Sequence, residues 1–193
     1  MGNWQHLLGK KRETPGDAGM MQAIAQGSEA AFLELTARYQ QRVLNFAFRS
    51  LGTRQDAEDV VQETFLRLFK GADTYDARGA LTGFVFRIAR NLCIDRVRKK
   101  SPELLDRLPD PPDHQTPHDF LDRKQAMASL AMAVRGLPEN QCTAVILRHT
   151  EELSYREIAD IMDVSTSAVE SLLVRGRRTL RKKLGNRPGG LGE

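Results

Sequence analysis

The chain has 193 residues, 40% hydrophobic and 28% charged, with 29 Lys+Arg against 25 Asp+Glu for a formal charge of +4. Its longest apolar runs reach only a few residues, as in Ala144–Leu147, whereas a bilayer span needs roughly 20, so membrane insertion is excluded as an expectation. Met1–Gly19 lacks the apolar stretch and cleavage site of a secretory leader, and the cytoplasm is therefore the expected location.

Charge is unevenly placed: residues 1–27 carry +1, 28–98 carry +2, 99–120 carry −2 and 121–193 carry +3. The first 27 residues show no convincing apolar face and read as a tail free to move. From there to residue 100, three amphipathic helices follow from apolar spacing. The first uses Phe32, Leu35, Tyr39, Val43 and Phe46 and stops near Gly52. The second has Ala57, Val60, Val61, Thr64, Phe65, Leu68 and Phe69 at offsets 0, 3, 4, 7, 8, 11 and 12, a continuous apolar face ended by Gly71. The third runs from about Leu81 through Phe84, Val85, Ile88, Leu92 and Val97.

The strip 101–120 holds Pro102, Pro109, Pro111, Pro112 and Pro117 with five acids against Arg107. Proline at this density removes backbone donors and blocks helix, so the strip reads as a flexible linker between two domains. Beyond it come a helix over about 121–135, a break at Gly136-Leu137-Pro138, a helix through Val145 and Leu147, and two more helices reaching residue 185, with a Gly/Pro-rich tail at 186–193. No strand-period run is visible. The fold class is all-α, with two small helical domains, 28–100 and 121–185.

Ser154-Tyr155-Arg156-Glu157 has the form of a capping box, and Ser165 stands where it caps the next helix. Ile158, Met162, Val164, Val169 and Leu172 fall at offsets 0, 4, 6, 11 and 14, which suits a helix-turn-helix, with Asp163 in the turn position often taken by glycine. A plain helical hairpin shows the same periodicity. What favours DNA is the continuation into Arg175, Arg177, Arg178, Arg181, Lys182, Lys183 and Arg187, with Glu170 the only acid between Val164 and Gly190. Such a helix can enter the major groove and hold phosphates. Ser165, Thr166, Ser167, Glu170, Ser171, Val174, Arg175 and Arg178 are the candidate contacts, while Leu172, Leu173 and Leu180 are expected to pack inward.

In the first domain, Arg87, Arg90, Arg96, Arg98, Lys99 and Lys100 are interleaved with Phe84, Phe86 and Asn91. Cations follow phosphates and rings stack on bases, so this mixture suits an unstacked strand. The second helix is opposite in character, with Asp56, Glu58, Asp59, Gln62 and Glu63 on its early turns. The helix macrodipole accounts for Asp56 and Glu58. The rest of that edge suits a basic protein partner and opposes DNA.

Catalytic readings find no support. His6, His114, His118 and His149 are scattered, Pro117 spoils the His114/His118 spacing as a helical metal pair, and there is no P-loop, dinucleotide turn or nucleophile elbow. No enzyme activity, cofactor or metal is expected. Cys93 and Cys142 lack ligand spacing and are expected to be buried reduced thiols.

Over about residues 28–184 the chain resembles the bacterial extracytoplasmic-function, or group IV, sigma factors. The resemblance is carried by Asp56-Ala57-Glu58-Asp59-Val60-Val61-Gln62-Glu63-Thr64-Phe65, by Phe86-Arg87-Ile88-Ala89-Arg90-Asn91 leading to Asp95-Arg96, by Leu137-Pro138-Glu139, and by Leu153-Ser154-Tyr155-Arg156-Glu157-Ile158-Ala159. It implies a non-enzymatic subunit that binds core RNA polymerase, its β and β′ subunits, and directs it to promoter DNA in a stress or envelope response. Asp56, Asp59, Gln62 and Glu63 would face the β′ clamp helices. Arg78, Phe84, Phe86, Arg87, Arg90 and Asn91 would open and read the minus-ten element, Asn91 at a captured base. The helix-turn-helix would read the minus-thirty-five element as duplex, and the acidic linker would thread the RNA exit channel. An anti-sigma factor that clamps both domains is also implied. Phe84 and Val85 replace a tryptophan pair used for melting by housekeeping relatives, which implies weaker melting, and Glu170 and Leu172 stand where many relatives are basic. The alternative is a stand-alone dimeric helix-turn-helix regulator binding palindromic duplex.

Overall fold

A computed structural model describes residues 16–75, 80–100 and 118–185. Those residues form eight α-helices and one short 3₁₀ turn, with no strand among them. In chain order the helices are α1 (Asp17–Ala25), α2 (Glu29–Leu51), α3 (Arg54–Lys70), α4 (Leu81–Lys100), α5 (His118–Arg135), α6 (Glu139–His149), α7 (Tyr155–Met162) and α8 (Thr166–Gly185). The proline-rich strip lies outside the described residues up to 117, and its last three residues open α5.

Helix α1 corrects the expectation of a mobile tail over residues 17–25. Met20, Met21 and Ile24 are buried against the rest of the first half, and Asp17 pairs with Arg38 at 2.6 Å. Three large apolar side chains on nine residues, Met20, Met21 and Ile24, are too few for a periodic stripe to stand out. Residues 1–15 lie outside the described residues.

Helices α2, α3 and α4 pack on one another around Leu35, Tyr39, Val43, Phe46, Ala57, Val60, Phe65, Leu68, Leu81, Val85 and Phe86. Their boundaries follow from caps. Ser28 accepts from the Ala31 amide, Gly52 ends α2 with φ 87°, and Thr53 accepts from the Asp56 amide at the start of α3. At φ 87° a side chain would be strained, and a Cβ there would also press on the Arg135 guanidinium, so glycine fits for two reasons. Phe69, expected on the apolar face, is 52% exposed and lies edge-on to the partly buried Phe32 at 5.5 Å.

In the second half α6 is the central helix, its residues Cys142–Leu147 all buried. Helices α5, α7 and α8 pack around it. The capping box at Ser154 and Glu157 forms as expected, and Asp163 takes the left-handed conformation at φ 55° that turns α7 into α8. Gly176 is buried within α8, and a Cβ there would lie 2.9 Å from Val145 Cγ2 and 3.7 Å from Gln141 Cβ. The glycine is therefore what lets α8 approach α6, although it weakens the helix by about 1 kcal/mol relative to alanine. Overpacking typically costs about 1–3 kcal/mol, and the β-branched Val145 has little freedom to move aside. Gly176→Ala is expected to lower the melting temperature by a few degrees despite its better helix propensity. A variant melting at or above the parent temperature would show that this approach is not tight.

The two halves touch. Helix α4 packs on α7, and α2 packs on α5 and α6. Arg42 bonds Glu151 at 2.9 Å, Arg87 donates to the Asp160 carbonyl at 2.8 Å, Arg90 donates to Asn140 Oδ1 at 3.2 Å, and Arg98 lies 3.6 Å from Glu139.

Candidate nucleic-acid and protein interfaces

The acidic edge of α3 exists because the helix starts at Thr53 and its apolar face is turned to α2 and α4, which leaves positions 58, 59, 62 and 66 outward. Asp56 is half-buried, and its carboxylate accepts from the Thr53 hydroxyl as part of the cap. Asp59 is exposed and 3.4 Å from Arg96, Gln62 is exposed, and Glu63 accepts from Arg67 at 2.7 Å. Asp59, Gln62 and Glu63 share a hollow of about 530 Å³ with Leu66, Leu92, Asp95 and Arg96. A mixed-charge rim over leucine is suited to a protein partner carrying both signs. Leu66, Asp95 and Arg96 escaped the sequence reading as members of this edge. Leu66 is 45% exposed, and its outward position beside Gln62 was the available signal.

On α4 the expected strand-binding residues divide. Asn91 and Arg87 are exposed, and Arg90 is half-buried with one guanidinium nitrogen donating to Asn91 Oδ1 at 3.3 Å. Burial pushes the Arg90 guanidinium below the usual arginine range, against the opposing pull of Glu139. Phe84 is half-buried and tilts against Tyr75 at 5.3 Å between centroids. Phe86 is a correction. It is wholly buried, edge-on to Phe46 at 5.6 Å, and cannot offer a face to a base. Consecutive helix positions point about 100° apart, so Phe84 and Phe86 do not share one environment. Arg78 lies outside the described residues.

Arg42 was missed by the sequence reading. Its guanidinium lies over the Tyr39 ring at 5.2 Å and the Phe86 ring at 5.3 Å while bonding Glu151. Nothing in the local pattern marks it, because one partner is 109 residues away.

Helix α8 presents one unbroken outer face. Ser165, Thr166, Ser167, Glu170, Ser171, Val174, Arg175 and Arg178 are all exposed, while Val169, Leu173 and Gly176 are buried beneath. Ser165 accepts from the Ala168 amide at 3.1 Å, so it both caps α8 and stands at the end that would enter a groove. Leu172 and Leu180 pack against the core only in part. Cys93 and Cys142 are free and buried, and burial raises their thiols to about 12 and about 11, so both stay protonated near neutrality.

Residues 35–103 match the sigma-70 region 2 family and residues 127–180 match sigma-70 region 4. The chain is 30% identical over 173 residues to the ECF RNA polymerase sigma factor SigW of Bacillus subtilis, covering 83% of this chain and 92% of that one. The chain belongs to the ECF RNA polymerase sigma factors. To SigE of Mycolicibacterium smegmatis this sigma factor is 37% identical over 172 residues, covering 83% of this chain and 65% of that one. Its structure is similar to that of CnrH in complex with the cytosolic domain of CnrY, with a TM-score of 0.69 and 26% identity over 88% of this chain and 97% of that chain. It shares the fold of the sigma factor RpoE in complex with the anti-sigma factor NepR from Bartonella quintana, with a TM-score of 0.64 and 22% identity over 81% of this chain and 98% of that chain. As a sigma factor it directs promoter-specific transcription initiation, and the reading as a stand-alone dimeric regulator is not favoured. Among the described residues no helix is long and apolar enough to cross a membrane.

Proposed function

We propose that this sigma factor, of the group IV type, docks on core RNA polymerase through Asp59, Gln62 and Glu63, with Asp56 holding the start of their helix. Arg87, Arg90 and Asn91 then contact the minus-ten element as separated strands, and the outer face of α8 reads the minus-thirty-five element as duplex. The observation that carries this reading is the division of region 2 into an exposed acidic edge on α3 and an exposed cationic, amide-bearing edge on α4. One edge repels phosphate and the other attracts it, so a single small domain can hold a protein and DNA at once. Unstacking a base costs a few kcal/mol, and an aromatic or amide contact returns about 1–3 kcal/mol, so opening needs no hydrolysis and no cofactor.

Two domains, the first with α1 packed on it and the second opened by α5 at His118, are joined by the acidic strip, which suits the RNA exit channel by imitating the charge of a transcript. The chain is not an enzyme and acts in the cytoplasm. An anti-sigma factor is a fitting regulator, since the relatives of known structure include sigma factors held by such partners. A hollow of about 520 Å³ between α2 and the second half, lined by Phe48, Met127, Leu130, Val134 and His149 among others, supports a helical partner.

Run-off transcription with core RNA polymerase across a genomic promoter library tests the reading. Discrete transcripts that need both core enzyme and this chain are expected. Tight binding of the chain alone to palindromic duplex, with no transcripts, would favour the dimeric regulator.

A further inference from the structure

Helix α8 is cationic, with Arg175, Arg177, Arg178, Arg181, Lys182 and Lys183 all exposed along it, and Glu170 is its one carboxylate. Glu170 is exposed and, among the described residues, makes no hydrogen bond or ion pair. Helical spacing explains this, because the positions three and four residues away hold Thr166, Ser167, Leu173 and Val174, none of them cationic. Val174, one turn on, is 54% exposed and offers no donor. The carboxylate faces solvent unneutralised, on the side of the helix given above to DNA.

Resting on the reading of α8 as the minus-thirty-five helix, we propose that Glu170 is a specificity-determining residue, accepting a hydrogen bond from the N4 amino group of a cytosine in the major groove. It is the fifth residue of α8, in the N-terminal half whose side chains reach base edges when such a helix enters the groove. A carboxylate is repelled by phosphates, so only base donors satisfy it there. The major groove offers two, adenine N6 and cytosine N4, and adenine sets its N7 acceptor beside the amino group, which leaves cytosine the better fit. Ser165, Thr166, Ser167 and Ser171, the other polar side chains of that half, carry hydroxyls that donate or accept and so tolerate several bases. Discrimination at this end of the helix falls to Glu170.

The side chain acts against wrong sequences more than it favours the right one. At a cytosine the carboxylate exchanges water for an amino donor, whereas at a pair with no amino group in reach it is stripped of water, faces acceptors and lies in the phosphate field. Arginine contacts to phosphate give no such discrimination, since the backbone is alike in every duplex. One unpaired acid among cations therefore lowers non-specific affinity and leaves the affinity for the correct element nearly untouched.

Holoenzyme assembled from core RNA polymerase with the parent chain, Glu170→Ala or Glu170→Gln is titrated with duplexes in which each pair of the minus-thirty-five element of a promoter mapped by run-off is replaced in turn. The parent is expected to lose about fivefold or more at one C·G pair. Glu170→Ala should lose that dependence at that pair alone and bind a duplex without the element a few-fold more tightly. Glu170→Gln should move the preference at the same pair toward A·T, because a glutamine amide matches adenine N6 and N7. Neither variant removes a contact within the chain, so the fold is kept.

The same profile for the parent and both variants overturns the cytosine contact, as does a lost dependence at a pair other than C·G. A uniform drop at every pair would mark Glu170 as a structural residue and overturn it too. Arg175→Ala with Arg178→Ala tests the underlying reading of α8. If that pair leaves duplex affinity and its salt dependence unchanged, α8 does not hold the element and the reading itself fails. A weaker, less salt-dependent complex together with a flat Glu170 result sinks the cytosine contact alone.

Discussion

Reversing both charges on the acidic edge, with Asp59→Arg and Glu63→Arg, is expected to weaken association with core RNA polymerase by about a hundredfold. A tenfold change corresponds to about 1.4 kcal/mol, and a desolvated interfacial charge pair broken on one side costs about 2–5 kcal/mol, so two reversals at a partly exposed edge reach this range. The fold should survive. The intramolecular pairs lost, Asp59 with Arg96 and Glu63 with Arg67, lie at the surface, where such pairs contribute about 0–1 kcal/mol. Fluorescence anisotropy of labelled chain against core enzyme at two salt concentrations measures the effect, and the double variant should also lose most of the salt dependence. Association unchanged by both reversals would remove α3 as the docking surface.

Asn91→Ala is the complementary experiment, with an expected loss of about tenfold to a hundredfold in open-complex formation and no change in core binding. A good side-chain contact to a base edge is worth about 1–3 kcal/mol of discrimination. Asn91 is exposed on α4, with Arg90 donating to its side-chain oxygen, so removing the amide disturbs little within the chain. Permanganate reactivity of unpaired thymines follows opening, and the anisotropy assay follows docking. Equal loss in both would mean that Asn91 supports the domain and does not touch the strand.

These two experiments probe helices whose ends are set by local sequence. Thr53 before Arg54, Gly52 and Gly71 at helix ends, and the Ser154/Glu157 box are satisfied within four residues, so their outcome follows from chemistry that the chain carries locally. The outer face of α8 was equally legible, because Val169, Leu173 and Gly176 recur at helical spacing and leave the opposite side to solvent. By helix propensity alone Gly176 is a defect. Its reason is Val145 Cγ2 on another helix.

Phe86 shows where local reading stops. Its neighbours in sequence are basic and amide residues that suit DNA, yet Phe46 claims the ring for the core through an edge-on contact forty residues away. Helix α1 shows the same thing from the other side, since Met20, Met21 and Ile24 are buried where α1 packs on α2 and on the 3₁₀ turn Ala72–Thr74.

The sequence by itself determined the helices, their caps, the opposite charge of the α3 and α4 edges, and the family, because each of these is written in spacing and residue type over a few turns. Only the tertiary structure decided which arginines are free and which are spoken for. Arg42 meets Glu151, and Arg87 meets the Asp160 carbonyl, across separations of 109 and 73 residues. Periodicity states which face of a helix avoids water, but it does not state which other face will cover it.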